Sequence, residues 1–332
     1  MPRDFDHRHS GHCETGTLSA LFRDRGMDIS ESLLFGIGGG LFFVHIPFIK
    51  MGDIPLTAYR DSPGSIIKNV CKRLNIPMQY RKFRSEREGM EVLDEMLSAR
   101  NSVGLRTSVF YLPYFPPDMR FQFNAHHLVV FDREDDNYFI SDPVFDHVVT
   151  CAHEDLKRSR FAKGTFAPKG YMFYPASLPS NPDLSGAIKK SISYMSKRML
   201  YAPIPFIGIK GIRYLSKRVR KWPTLLGDEK ALVNVGTVVR MQEEIGTGGA
   251  GFRYMYTAFL QEAAEITGNN ALSEASEIMA ETGDKWREFA VMGARMCKTN
   301  DQSQASYNAL SDKIMEVSKR EENIYRFLKK CI

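Results

Sequence analysis

The stretch His12-Cys13-Glu14-Thr15-Gly16-Thr17-Leu18-Ser19-Ala20-Leu21-Phe22 reads as the start of a helix. Its apolar residues at 18, 21 and 22 share one helical face, and Gly26 suits the helix end. Cys13 falls in the first turn, where unpaired backbone N–H groups and the positive end of the helix dipole favour a negative sulfur over a neutral one. A thiol nucleophile also needs a base beside it, and the chain carries one far downstream. In His127-Leu128-Val129-Val130-Phe131-Asp132 a β-branched run follows a histidine. Glu134-Asp135-Asp136-Asn137 has turn chemistry, and Tyr138-Phe139-Ile140 returns toward Asp142-Pro143. The two ends of such a hairpin lie side by side, so a carboxylate leaving the second strand can hold an imidazole entering the first. His126 competes with His127, and period-two alternation puts them on opposite faces, so only one can meet the thiol. Cys13, His127 and Asp142 form the expected catalytic set, against the ordinary fate of a cytosolic cysteine as a small buried hydrophobe.

With 332 residues, 43% apolar and 25% charged, the chain is globular and long enough for two cores. Met1-Pro2-Arg3-Asp4-Phe5-Asp6-His7 has no apolar h-region, so no secretory signal is expected and the cytoplasm is the default compartment. Cysteines at 13, 71, 151, 297 and 331 include no C-x-x-C pair, which fits a reduced compartment rather than a disulfide framework. His7, His9, His12 and Cys13 are zinc-type ligands without zinc-site spacing, and no metal is expected there.

The first part of the chain reads as mixed α and β. After the Cys13 helix come a glycine-rich loop and a strand at 41–46. A helix from Ser62-Pro63 to about 74, a strand at 79–83 and a helix opened by the capping box of Ser85 and Glu88 follow. Strand-like runs recur at 102–110, 122–132, 137–141, 146–151 and 170–174. Ala176-Ser177-Leu178-Pro179-Ser180-Asn181-Pro182-Asp183 reads as a linker. Beyond it, helical patterns occupy about 184–201, 207–221, 228–245, 252–267, 271–297 and 302–330. The expected fold class is α+β over residues 1–176, then an all-α domain over 184–332.

His12-Cys13-Glu14-Thr15-Gly16, Ser30-Glu31-Ser32-Leu33-Leu34-Phe35-Gly36-Ile37-Gly38-Gly39-Gly40 and His126-His127-Leu128-Val129-Val130 through Asp142-Pro143 resemble the N-terminal domain of butirosin biosynthesis protein H. The resemblance covers about residues 5–175, and the remainder resembles the helical domain that often follows it. It implies a papain-like domain, with thiol, imidazole and carboxylate in that chain order and the nucleophile helix packed on an antiparallel sheet. It also implies an acyltransferase that moves an acyl or aminoacyl group from an acyl carrier protein or CoA thioester, through acyl-Cys13, to an amine. The donor would be carried on phosphopantetheine, with no further cofactor. Papain-like peptidases usually place a glutamine about six positions before the cysteine as an oxyanion donor, and this chain has His7 there. The backbone N–H of Cys13, with His7 or His9, is the expected replacement. A cysteine peptidase or amidase would use the same three residues with water as acceptor, and a non-catalytic carrier- or lipid-binding protein could retain the fold.

No acidic residue occurs between Asp183 and Asp228. Lys189, Lys190, Lys197, Arg198, Lys210, Arg213, Lys217, Arg218, Arg220 and Lys221 lie in that stretch of a chain whose net charge is only +6. Segment 189–221 suits an acidic acyl carrier protein. Combined with Tyr201-Ala202-Pro203-Ile204-Pro205-Phe206, it also suits peripheral contact with anionic lipid, and a solvated face compensated by acids elsewhere is the plainer alternative. Nothing in the motifs supports nucleic acid. Gly36-Ile37-Gly38-Gly39-Gly40 is not followed by the Gly-Lys-Ser/Thr of a P-loop, and its glycines are expected to let backbone approach the Cys13 helix. Gly246-Thr247-Gly248-Gly249-Ala250-Gly251 follows a helix where a dinucleotide fold needs a strand. By resemblance, this second loop with Phe252 and Arg253 belongs to a recurrent motif of the helical domain. Arg253 could meet a phosphopantetheine phosphate or a substrate carboxylate, or form an ordinary salt bridge. The aromatic stretch 110–117 could line an acyl pocket or simply pack as a surface loop.

Overall fold

The computed structural model describes residues 2–51, 54–245 and 248–332. The chain opens with helices α1 (Cys13–Arg23) and α2 (Glu31–Gly38), strands β1 (Leu41–Met51) and β2 (Ile54–Arg60), and helix α3 (Ser65–Arg73). Strand β3 (Met78–Arg81), helix α4 (Glu86–Ser98) and strands β4 (Val103–Thr107), β5 (His126–Glu134), β6 (Asn137–Ser141) and β7 (Val149–Ala152) follow. Then come α5 (His153–Arg160) and β8 (Met172–Pro175). Helices α6 (Leu184–Tyr201), α7 (Gly208–Leu226), α8 (Asp228–Glu243), α9 (Arg253–Thr267), α10 (Asn270–Thr299) and α11 (Gln304–Leu328) form the rest. The chain divides into two compact units. One runs from the start to Leu34 and from Ile66 to Pro182; the other joins Phe35–Ser65 to Asp183–Ile332.

The first unit is α+β. Its antiparallel sheet has the order β3-β8-β4-β5-β6-β7, and α1 packs on β4, β5 and β8. Leu18, Leu21 and Phe22, the predicted apolar face of α1, are fully buried. Leu128 and Val130 of β5 enter a core with Leu105, Ile140, Met172 and Leu93 of α4, each such burial contributing about 1.5–3 kcal/mol. Ser85 caps α4 as expected, its hydroxyl accepting the Glu88 N–H at 3.3 Å.

The β5–β6 hairpin contains one irregularity that decides the site. Pairing runs regularly from Glu134↔Asn137 through Arg133↔Tyr138 to Asp132↔Phe139, then resumes at Val130↔Ile140 and Val129↔Ser141. Phe131 is therefore an extra residue on β5, a β-bulge, and every residue before it changes partner by one. Because side chains alternate along a strand, that single insertion exchanges which face of early β5 accompanies the end of β6.

The second unit joins helices α6–α11 to the β1–β2 hairpin, with α7 against β1 and α11, and α10 against α8, α9 and α11. The hairpin residues, expected inside a contiguous 1–176 domain, pack with the helices instead. Phe43 stacks on Trp286 with centroids 5.9 Å apart, and Tyr59 meets the same indole edge-on at 5.4 Å. The unit is thus not purely helical, and these contacts to Trp286 join residues over two hundred positions apart. Its glycines serve this packing rather than the Cys13 helix: a Cβ at Gly36 would fall 2.0 Å from the Phe259 ring, and one at Gly39 3.0 Å from Tyr194. Of the later glycine loop, Gly246 and Thr247 lie outside the described residues. Gly248 to Phe252 turn toward α9 with positive φ throughout, and among the described residues the element before this loop is helix α8, not a strand.

Candidate active site

The first turn of α1 brings Cys13 to a buried histidine and carboxylate. His126, the first residue of β5, lies beside Cys13 and interacts with its sulfur, and its Nε2 donates to Asp142 Oδ2 at 2.7 Å, which leaves Nδ1 for the sulfur side. The imidazole and Asp142 are buried while Cys13 is partly exposed, so the set can be reached from the sulfur side. Burial opposes protonation of the ring. The charge and hydrogen bond of Asp142, with those of Cys13, outweigh it and raise His126 to about 10, so an imidazolium faces the sulfur at neutral pH.

His127, the expected base, does not join this set. Beyond the bulge, Asp142 lies past the Ser141↔Val129 pair, and the residues of β5 on its face are His126, Leu128 and Val130. His127 occupies the opposite face, where it pairs with Arg106 across the strands and its ring meets Phe173 at 6.0 Å. The imidazole brought to Asp142 and Cys13 is His126.

Asp142 is held from several directions. Its Oδ2 also accepts the Tyr114 hydroxyl at 2.9 Å, and its Oδ1 accepts the Val144 N–H at 3.1 Å. Burial, followed by the Asp142 charge, raises the Tyr114 phenol well above its ordinary range, so it remains a donor. Phe115 sets its ring edge-on to His126 at 5.5 Å and to Phe145 at 5.0 Å. The aromatic stretch therefore buttresses the imidazole and carboxylate from behind, while Phe110 and Tyr111 stand exposed.

The segment before α1 straps the carboxylate turn. His7 Nε2 donates to the Phe145 carbonyl at 3.1 Å, which leaves Nδ1 to accept from the Ser141 hydroxyl at 2.7 Å. Burial lowers the His7 pKa, in keeping with that neutral ring. Both nitrogens are thus committed, and His7 is a brace for the Asp142 turn rather than an oxyanion donor. His9 is exposed. Ser10 N–H donates to the Pro143 carbonyl at 2.8 Å, and Gly16 makes the approach feasible: a Cβ there would fall 2.6 Å from Ser10 Cβ and 2.8 Å from Pro143 Cβ. Glu31, from the glycine-rich motif, accepts the N–H groups of Gly11 and His12 at 2.8 and 3.2 Å and so fixes the turn leading into Cys13. The first intrahelical rung is Gly16 N–H to His12 O, which puts the Cys13 amide in the end turn of α1 where an oxyanion would develop.

The other cysteines lack this setting. Burial pushes Cys71 and Cys151 up to about 12 and also raises Cys297 and Cys331. Arg253, expected near a ligand anion, lies in the core of the second unit. Its Nε meets Glu321 Oε1 at 2.8 Å, its Nη1 donates to Gly251 O at 2.6 Å, and Trp286 Nε1 donates to the same Glu321 oxygen at 2.6 Å. It is a buried structural ion pair. Of the basic segment, Arg198, Arg213 and Arg220 pair with Asp61, Glu322 and Asp312, whereas Lys189, Lys190, Lys197, Lys210, Lys217 and Lys221 are exposed. Among the described residues no helix is long and apolar enough to cross a membrane.

Residues 12–143 match the family described as butirosin biosynthesis protein H, N-terminal, and residues 154–328 match a domain of unknown function, DUF4872. No curated protein matches the chain. Among solved structures, a putative C39-like peptidase from Bacillus anthracis aligns at 14% identity over 53% of this chain and 91% of that one, with a TM-score of 0.33, too slight a likeness to bear on activity.

Proposed function

The chain belongs to the butirosin biosynthesis protein H family, with its DUF4872 domain, and we propose that it is a cysteine acyltransferase. One observation carries the reading: a partly exposed Cys13 at a helix start, beside a buried imidazolium that Asp142 holds. In the first step the Cys13 thiolate attacks a thioester carbonyl, with the Cys13 N–H facing the developing oxyanion. The carbon–sulfur bond of the donor breaks, His126 protonates the departing thiol, and acyl-Cys13 remains beside a neutral ring. Exchange of one thioester for another is nearly balanced in energy, so no nucleotide is required. In the second step an amine attacks acyl-Cys13 and gives a proton to His126. Collapse then releases the amide and restores the thiolate and imidazolium.

The exposed lysines of segment 189–221 support an acidic acyl carrier protein bearing the donor on phosphopantetheine, since long-range attraction speeds and orients such docking. A small amine is the acceptor. The test is to form the acyl-enzyme from a panel of acyl thioesters and chase it with amines or with water alone. Amide formation, with acyl-Cys13 stable in water, supports transfer. Rapid hydrolysis that amines do not divert, together with cleavage of peptides, assigns the site to a peptidase or amidase.

A further inference from the structure

The second unit exposes an apolar knob built from two distant segments. Phe48 and Ile49 of β1 are 69% and 46% exposed, and Tyr201, the last residue of α6, and Ile204, in the loop to α7, are 54% and 47% exposed. The segments are locked together: Phe48 meets the Phe206 ring at 5.5 Å, His45 N–H donates to the Phe206 carbonyl at 2.9 Å, and Val44 bridges Ile207. With about two thirds of its surface open to solvent, Phe48 projects rather than lining a groove.

Cations ring this knob. Lys50 is exposed two residues beyond Phe48, Lys210 Nζ donates to the Ala202 carbonyl at 3.1 Å, and Lys329 Nζ lies 4.8 Å from the centroid of the Tyr201 ring. Neither residues 41–51 nor residues 184–227 contain an acidic residue. Glu322, on the same helix as Lys329, is already held by Arg213 and Arg326. Pro47, Pro203 and Pro205 have no backbone N–H to strip of water, which lowers the cost of placing these segments in a poorly hydrated layer.

We propose that this knob seats the protein on an anionic lipid surface, with Phe48, Ile49, Tyr201 and Ile204 entering the headgroup boundary and Lys50, Lys210 and Lys329 meeting lipid phosphates. Aromatic and branched side chains framed by lysines on flexible stems match the two attractions that hold peripheral proteins at membranes, apolar burial and screened charge. The assignment is independent of the chemistry at Cys13. It is tested by flotation of the full chain with phosphatidylcholine vesicles, with and without phosphatidylglycerol. Native protein should float with the anionic vesicles, stay behind with neutral ones, and be released by salt. Phe48→Ser with Ile49→Ser should weaken flotation by about tenfold, and Lys50→Gln with Lys210→Gln should remove the preference for anionic vesicles. Circular dichroism and melting checks keep unfolded variants out of the comparison. Equal flotation of native protein and the Phe48/Ile49 variant overturns the proposal. So does failure to float while an acidic carrier protein binds through the same residues, which assigns the knob to a protein partner.

Discussion

His126 Nε2 donates to Asp142 Oδ2 at 2.7 Å where both side chains are closed to solvent, so the ring keeps its charge beside Cys13. His127, one residue on, points away from this pair. His126→Ala is expected to slow modification of Cys13 by thioesters about 10²–10⁴-fold, the range for losing a positioned acid–base group. His127→Ala should leave that rate within a few-fold and lower stability by about 1–3 kcal/mol through lost packing. Stopped-flow acylation and urea unfolding of the two variants separate the roles.

Tyr114 holds Asp142 through its hydroxyl at 2.9 Å. Tyr114→Phe removes one hydrogen bond to a charged acceptor, worth about 1.5–3 kcal/mol in a buried site, and Asp142 is then freer to turn. Acylation should slow by about tenfold, and the melting temperature should fall by a few degrees. A rate equal to that of the native protein would assign Tyr114 to packing alone.

Gly16 sits where α1 crosses the Asp142-Pro143 turn. Gly16→Ala must displace Ser10 and Pro143, and the expected outcome is a folded protein with Cys13 withdrawn from His126. Loss of Cys13 acylation alongside a retained circular dichroism spectrum checks this, because Ala otherwise favours a helix interior by about 0.8–1.0 kcal/mol over Gly.

The two units should weaken at opposite ends of the pH scale. His126 is raised from 6.5 to about 10, so its contribution to stability is whole below 6.5 and is lost as pH rises through about 10. Burial, with the Arg218 charge, lowers His45 from 6.5 to about 4, so its contribution is present above 6.5 and is lost as pH falls through about 4. The stability gap between native protein and His126→Gln, read by circular dichroism, should shrink from neutral to high pH. The gap for His45→Gln should shrink in acid. Trp222 fluorescence reports the latter, since its ring lies 6.3 Å from His45.

Arg253 and Glu321 are fully buried partners in the second unit. Arg253→Met strands a carboxylate and should cost about 3–5 kcal/mol in urea unfolding. Folded Arg253→Met protein should still acylate Cys13 at the native rate. A defect confined to acylation would reinstate Arg253 as a ligand-binding residue.

Much of this was legible in the residues because it is local. The helix at Cys13, the hairpin ending at Asp142-Pro143, the Ser85 cap and the helices after residue 183 all follow from periodicity and turn chemistry within a few neighbours. The choice between His126 and His127 was not local. A regular hairpin from Glu134↔Asn137 would place Asp142 opposite Val129 and hence on the His127 face, and the bulge at Phe131 moves it to the His126 face. No residue type at 131 announces an insertion. Tyr114 and Glu31 were equally hidden, since each acts on a group far away in sequence. The β1–β2 hairpin, with its ordinary strand pattern, gave no sign that Phe43 would pack on Trp286.

The most direct test of the account is intact-protein mass spectrometry of native protein, Cys13→Ser and His126→Gln after exposure to acyl thioesters. An acyl-sized gain on the native chain, mapped to Cys13 and suppressed in both variants, is the predicted result. A gain that persists without Cys13, or that His126→Gln leaves as fast as in the native protein, contradicts the account.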